Sequence, residues 1–142
     1  MPISFHSQVS KFTLKKKKKI IDWILLVAYL ERTEVNEISY VFCDDEFMLK
    51  LNNDFLHHNY YTDIVTFDYS AGHKKIAAEI YISIERVLEN SKLLKTNFED
   101  ELRRVMIHGV LHCIGYSDKH QKSQNRMRKK ENEYLQIFSQ IK

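Results

Sequence analysis

The stretch His108-Gly109-Val110-Leu111-His112-Cys113-Ile114-Gly115-Tyr116-Ser117-Asp118-Lys119-His120 decides how the rest of the chain is read. Residues four apart on a helix lie about 40° apart round its axis, so the imidazoles of His108 and His112 leave one face within a turn of each other. Gly115 supplies the left-handed residue that ends such a helix, and the turn beyond it brings Asp118 or His120 back toward the pair. Two helix ligands and a third from the turn, with a fourth position open to water, make the layout of a catalytic zinc site. One Zn2+ ion is therefore the expected cofactor, with His108, His112 and Asp118 as metal ligands. Asp118 is preferred to His120 because His120 falls at the start of the next helix and its side chain turns with that helix. In the rival arrangement Asp118 caps the last helix and His120 binds the metal.

Outward from this stretch, Leu102, Val105, Met106, Leu111 and Ile114 supply an apolar face that seats the helix in a core, so the histidines project from a rigid element. A histidine pair alone is more often structural than metal-binding; it is the glycine turn and the acid beyond it that shift the reading. Cys113 points about 100° away from the ligand face and reads as a core residue. With 142 residues, 44% of them hydrophobic, the chain makes one compact domain that needs no staples. Two cysteines, Cys43 and Cys113, form no disulfide framework and point to a reducing, cytoplasmic setting. The longest apolar stretch, residues 20–30, is broken by Asp22 and too short for a bilayer, so no membrane partner is expected.

Helical spacing predicts helices over residues 15–32, from Asp44 to 55, from the Ser83 cap to 94, over 98–114 behind Asn97, and over 120–137. Alternation predicts strands at 36–43, 62–67 and 75–83, with a turn at 68–73, and residues 3–6 and 9–14 read as a weak strand leading into the first helix. The layout is α+β: a small mixed β-sheet with helices packed on it and a central histidine-bearing helix.

The net charge of +3 names no partner, but its distribution is informative. A lysine run such as residues 15–19 is most simply a solvated helix start. Arg103 and Arg104 before the histidines, and Lys119, Lys122, Arg126, Arg128, Lys129 and Lys130 after them, bracket the expected metal, which suits a polyanion lying across it.

The His108–Tyr116 segment with Asp118 resembles the H-G-x-L-H-x-x-G-Y-D-H segment of the YbeY family of bacterial metal-dependent endoribonucleases. Leu51-Asn52 with Thr62-Asp63-Ile64-Val65-Thr66-Phe67-Asp68, then Ala78-Glu79-Ile80-Tyr81-Ile82-Ser83, then Met127-Arg128-Lys129-Lys130-Glu131 are similar to further blocks of that family, in the same order. The resemblance implies a cytoplasmic zinc enzyme that cuts single-stranded RNA in ribosome quality control and ribosomal RNA maturation, including the 3′ end of small-subunit rRNA. It also implies that Asp118, ten residues after His108, stands at the third-ligand position, where the family has its final histidine. Leu56 stands where the family carries a substrate-facing arginine, Tyr61 replaces a proline, and Ala78-Glu79 replaces Gly-Asp. Cationic help at the phosphate must then come from elsewhere, with His57, His58 or Arg104 as candidates, while Tyr60, Tyr61 and Tyr116 are candidates to stack bases. Adjacent histidines in a loop, and tyrosines near a turn, are at least as often plain surface or packing residues.

Two other classes remain. One is a zinc peptidase, which lacks its general base because Gly109 occupies the position after the first histidine. The other is a non-catalytic, metal-stabilised assembly factor docking on ribosomal RNA or on a ribosomal protein, distinguished from the enzyme by whether metal removal unfolds the chain or only stops cleavage.

Overall fold

The computed structural model describes residues 2–56, 62–72 and 74–142. The elements run β1 (Ile3–Ser7), α1 (Lys17–Leu30), β2 (Glu34–Cys43), α2 (Asp45–Leu51) continuing into one π turn (Asn52–Leu56), β3 (Ile64–Asp68), β4 (Lys75–Ser83), α3 (Ile84–Leu94), α4 (Phe98–Ile114) and α5 (Gln121–Gln140). The four strands form one sheet in the order β1-β2-β4-β3, with β1 and β4 parallel to β2, and β3 antiparallel to β4. This is the mixed sheet with packed helices that the pattern predicts, in a single compact domain.

Ile38, Tyr40 and Phe42 on β2 and Ile76, Ala78, Ile80 and Ile82 on β4 are buried in one cluster with α4, α1 and α5. Burying each such isoleucine contributes about 1.5–3 kcal/mol, which is what holds the helices on the sheet. Two buried polar bonds set their positions: Tyr40 Oη donates to the Met106 carbonyl at 3.0 Å, and Trp23 Nε1 donates to the Tyr134 carbonyl at 2.8 Å. On the other side of the sheet a smaller cluster joins Met48 and Leu51 of α2 to Cys43 and Val65.

The boundaries differ from the sequence pattern where backbone conformation intervenes. Residues 9–14 form no strand: the Ser7 hydroxyl donates to the Val9 carbonyl at 3.0 Å and turns the chain away from the sheet. Lys16 adopts φ 59°, so α1 begins at Lys17, and Arg32 with φ 60° lies beyond its end. The weak first strand is real because β2 pairs with it along its whole length, Ile3 beside Ile38 and Ser7 beside Phe42. No helix among the described residues is long and apolar enough to cross a membrane.

Candidate active-site cleft

α4 carries both histidines and is fastened at each end. The Asn97 carboxamide oxygen accepts from the Glu99 and Asp100 backbone N–H groups at 2.8 and 3.4 Å, and Glu99, Asp100 and Glu101 complement the positive end of the helix. At the other end Gly115 takes φ 122°, and the N–H groups of Gly115 and Tyr116 both reach the Leu111 carbonyl, at 3.2 and 3.0 Å. In its middle, Gly109 lies against the sheet so closely that a Cβ there would sit 3.1 Å from Ile64 Cδ1 and from Ile80 Cδ1. That approach brings His108 beside the start of β3.

A cleft of about 690 Å³ opens between α4, α5 and residues 62–66, and His108, His112 and Asp118 all line it. The turn after Gly115 returns Asp118 so that its Oδ2 stands 3.4 Å from His108 Nε2. His108 Nδ1 lies 2.7 Å from Glu131 Oε2. A carboxylate only accepts, so Nδ1 carries the hydrogen, and Nε2, on the Asp118 side, is the ring nitrogen that can bind a metal once it is unprotonated. His112 Nδ1 lies 3.2 Å from the Tyr116 carbonyl, which by the same argument leaves its Nε2 as the acceptor. No group of three histidine, cysteine or carboxylate side chains among the described residues is gathered into a preassembled metal cage. The arrangement is a close pair, His108 with Asp118, and a third side chain, His112, on the same wall.

His120 is elsewhere. It is the N-cap residue of α5, its N–H donating to the Ser123 hydroxyl at 3.1 Å while that hydroxyl donates back to its carbonyl at 2.9 Å, and it is absent from the cleft lining. Asp118 is therefore not the cap of α5, and its carbonyl accepts from Gln124 Nε2 at 2.9 Å.

The electrostatics of the cleft centre on Glu131, 4% exposed, which receives Arg104 Nη1 at 3.1 Å and has Arg128 Nη1 at 3.6 Å besides its bond to His108. Burial by itself would raise the Glu131 carboxyl, but His108 and then the arginines outweigh it and hold it below the ordinary value. Burial by itself would lower His108, and Glu131, Asp118 and Asp63 outweigh it, so the imidazole is raised. Asp63, on the cleft wall at the entry to β3, has its carboxyl raised, mainly by burial, against the pull of His108. Glu131 was visible in the sequence only as the end of its C-terminal block and Asp63 only as part of a strand-like run. Neither has a local signal, since each meets His108 across a long chain separation.

The cations that bracket the histidines in sequence do not act together. Arg104 and Arg128 line the cleft. Arg103 pairs with Asp100 at 2.9 Å and stacks 4.4 Å from the Phe138 ring centre, Arg126 lies 5.1 Å from that of Tyr116, and Lys130 pairs with Glu31 at 3.2 Å. Lys15 to Lys18 are exposed at the start of α1, a solvated helix start as their pattern suggests. Tyr116 is half-buried with its hydroxyl on Glu31 at 2.8 Å, so it serves as an anchor and is not a free stacking surface. The expectations for His57, His58, Tyr60 and Tyr61 lie outside the described residues. Cys113 is buried, its thiol pushed up to about 12 by burial, as befits a core residue.

A family profile described as Endoribonuclease YbeY matches residues 2–139. The Endoribonuclease YbeY of Flavobacterium psychrophilum is 46% identical over 136 residues, 96% of each chain. That of Cytophaga hutchinsonii is 42% identical over 95% of this chain and 94% of its own, and that of Bacteroides fragilis is 39% identical over 99% and 100%. A Thermotoga maritima protein solved in solution has the same fold, with a TM-score of 0.68 at 24% identity over 96% of this chain and 88% of that one.

Proposed function

The chain belongs to the YbeY family of endoribonucleases, and from that premise we propose that this RNA-hydrolysing enzyme depends on one zinc ion and cuts single-stranded RNA in ribosomal RNA maturation and ribosome quality control, the 3′ end of small-subunit rRNA being one target. The observation that carries the metal reading is that each imidazole has its Nδ1 tied to an oxygen, Glu131 for His108 and the Tyr116 carbonyl for His112. That leaves both Nε2 atoms as donors on the cleft that the Asp118 carboxylate also lines. Two imidazoles and a carboxylate suit zinc with one position left for water.

When bound, zinc supplies Lewis acidity, which makes a water acidic near neutral pH and polarises a phosphoryl oxygen. The protein does the rest. His108, His112 and Asp118 would hold the ion, and Glu131 keeps His108 in the tautomer that can do so. Arg104 and Arg128 face the phosphates that flank the scissile one, replacing the cation missing at Leu56. Asp63 stands on the same wall near His108, its carboxyl raised mainly by burial. A flexible strand can bend its backbone into the cleft, whereas the phosphates of a rigid duplex stay outside it. The peptidase alternative lacks its general base, because Gly109 stands where that glutamate would be.

The test is cleavage of single-stranded and perfectly duplexed RNA of the same sequence by the wild type, by chelated protein and by His112→Ala, with zinc content measured in parallel. Cleavage of the single strand that vanishes with the zinc supports the reading. Stoichiometric zinc in His112→Ala, or equal cutting of the duplex, overturns it.

A further inference from the structure

Glu31 is the C-cap of α1 and is not among the cleft-lining side chains, yet three groups converge on its half-buried carboxylate. Tyr116 Oη donates to Oε1 at 2.8 Å, the Tyr134 hydroxyl donates to Oε2, and Lys130 Nζ lies 3.2 Å from Oε2. An anion at a helix C-terminus opposes the macrodipole, and α1 has no basic residue in its last turn to offset it. The placement therefore works against α1, and its use has to be sought in what the carboxylate holds.

What it holds is the residue on which the metal side of the cleft turns. The Tyr116 carbonyl accepts from His112 Nδ1 at 3.2 Å, the Tyr116 N–H bonds to the Leu111 carbonyl at 3.0 Å, and Asp118 follows two residues later. One tyrosine thus links a carboxylate on α1 to the tautomer of one proposed ligand and to the loop that carries another. We propose that Glu31 is a positioning residue for the active site, acting through Tyr116: by fixing the tyrosine hydroxyl it fixes the carbonyl that orients His112 and the loop that sets Asp118 opposite His108. This rests on the reading of His112 and Asp118 as ligands given above.

Tyr116→Phe removes one hydroxyl and keeps the ring, the carbonyl and the end of α4, so the variant folds. Two measurements follow, Co2+ affinity and, in metal-free protein, the His112 tautomer from its ring 15N shifts. Affinity should fall about 10-fold or more, as for other groups that orient ligands. The ring signals should move from the Nδ1–H form toward the Nε2–H form. Glu31→Ala should do the same, Glu31→Gln, which keeps an acceptor for one tyrosine, should recover part of the loss, and the double variant Glu31→Ala/Tyr116→Phe should be no worse than Glu31→Ala alone, since both act through one contact. Unchanged Co2+ affinity and an unchanged His112 tautomer in Tyr116→Phe overturn the proposal, even if thermal stability drops. If the wild type takes up no Co2+, the metal reading fails by itself, and the tautomer comparison still decides this one.

Discussion

Glu131 concentrates the chemistry of the cleft in one buried side chain: it accepts from His108, balances Arg104 and Arg128, and would be an uncompensated charge without them. Glu131→Gln keeps the volume and one acceptor but loses the charge that favours the Nδ1–H ring. Zinc affinity, measured by competition with a chromophoric chelator, should fall roughly 10- to 100-fold with the fold intact; a change within experimental error would remove Glu131 from the site. Glu31 governs a different property. Burial alone would raise its carboxyl, but Tyr134, Tyr116 and Lys130 outweigh that and hold it below the ordinary 4.5. A carboxylate lowered on folding stabilises the native state above its unfolded value and loses that contribution as pH falls through the lowered one. The wild type should therefore lose stability on acidification below 4.5 more steeply than Glu31→Gln, in urea midpoints followed from neutral pH downward. Parallel profiles would show that the three donors do not hold a charged carboxylate.

At the scale of the element, α4 works because it is long, capped at both ends and pressed onto β3 and β4 at Gly109. An added methyl there would meet two isoleucine Cδ1 atoms at 3.1 Å and Ile80 Cγ2 at 3.3 Å, tighter than these side chains accept without shifting. Helix propensity favours alanine over glycine by about 1 kcal/mol, while overpacking costs about 1–3 kcal/mol, so Gly109→Ala should be destabilised by up to about 2 kcal/mol in equilibrium unfolding. Ile80→Val, which removes the Cδ1 in the way, should restore part of it in the double variant; a Gly109→Ala protein more stable than wild type would mean the helix stands further off the sheet. In sequence, Gly109 says only that a catalytic glutamate is missing. Its packing role depends on the two isoleucines on other strands.

For the whole molecule, the main core lies between the sheet and α1, α4 and α5, and His108, His112 and Asp118 are outside it, lining a cleft at its edge. Chelated protein should thus unfold in a single cooperative transition, with near-native circular dichroism before it; loss of structure on chelation would return the assembly-factor reading. The division of the basic residues sets the salt dependence of RNA binding. For single strands the slope of log affinity against log salt is about −0.7 per phosphate neutralised. Two cleft arginines give a slope of roughly −1.4, and all eight bracketing cations would give roughly −5.6. A filter-binding series with a catalytically dead variant should give a slope on the order of the smaller value, and one steeper than about −3 would mean that cations outside the cleft, the exposed Lys119, Lys122 and Lys129 among them, are recruited by RNA.

Local chain properties were enough to place His108 and His112 on one helix face, to end that helix at Gly115, to cap α3 and α4 at Ser83 and Asn97, and to predict a mixed sheet under helices. Each of these depends on residues within a few positions of one another, and helix and strand periodicities read such neighbours directly. The sequence left Asp118 and His120 as rivals. Tertiary structure placed Asp118 on the cleft, because the outcome depends on where α5 begins and on the Ser123 hydroxyl that holds His120 at its start. It also assigned Glu131 to His108, Asp63 to the cleft wall, Tyr116 to Glu31, and Arg103 and Lys130 to carboxylates of their own. Those pairings are made between side chains 23 and 85 residues apart in the cases of Glu131 and Tyr116. No periodicity carries information over such a separation; packing of the helices on the sheet fixes it, by bringing groups together that the chain itself keeps apart.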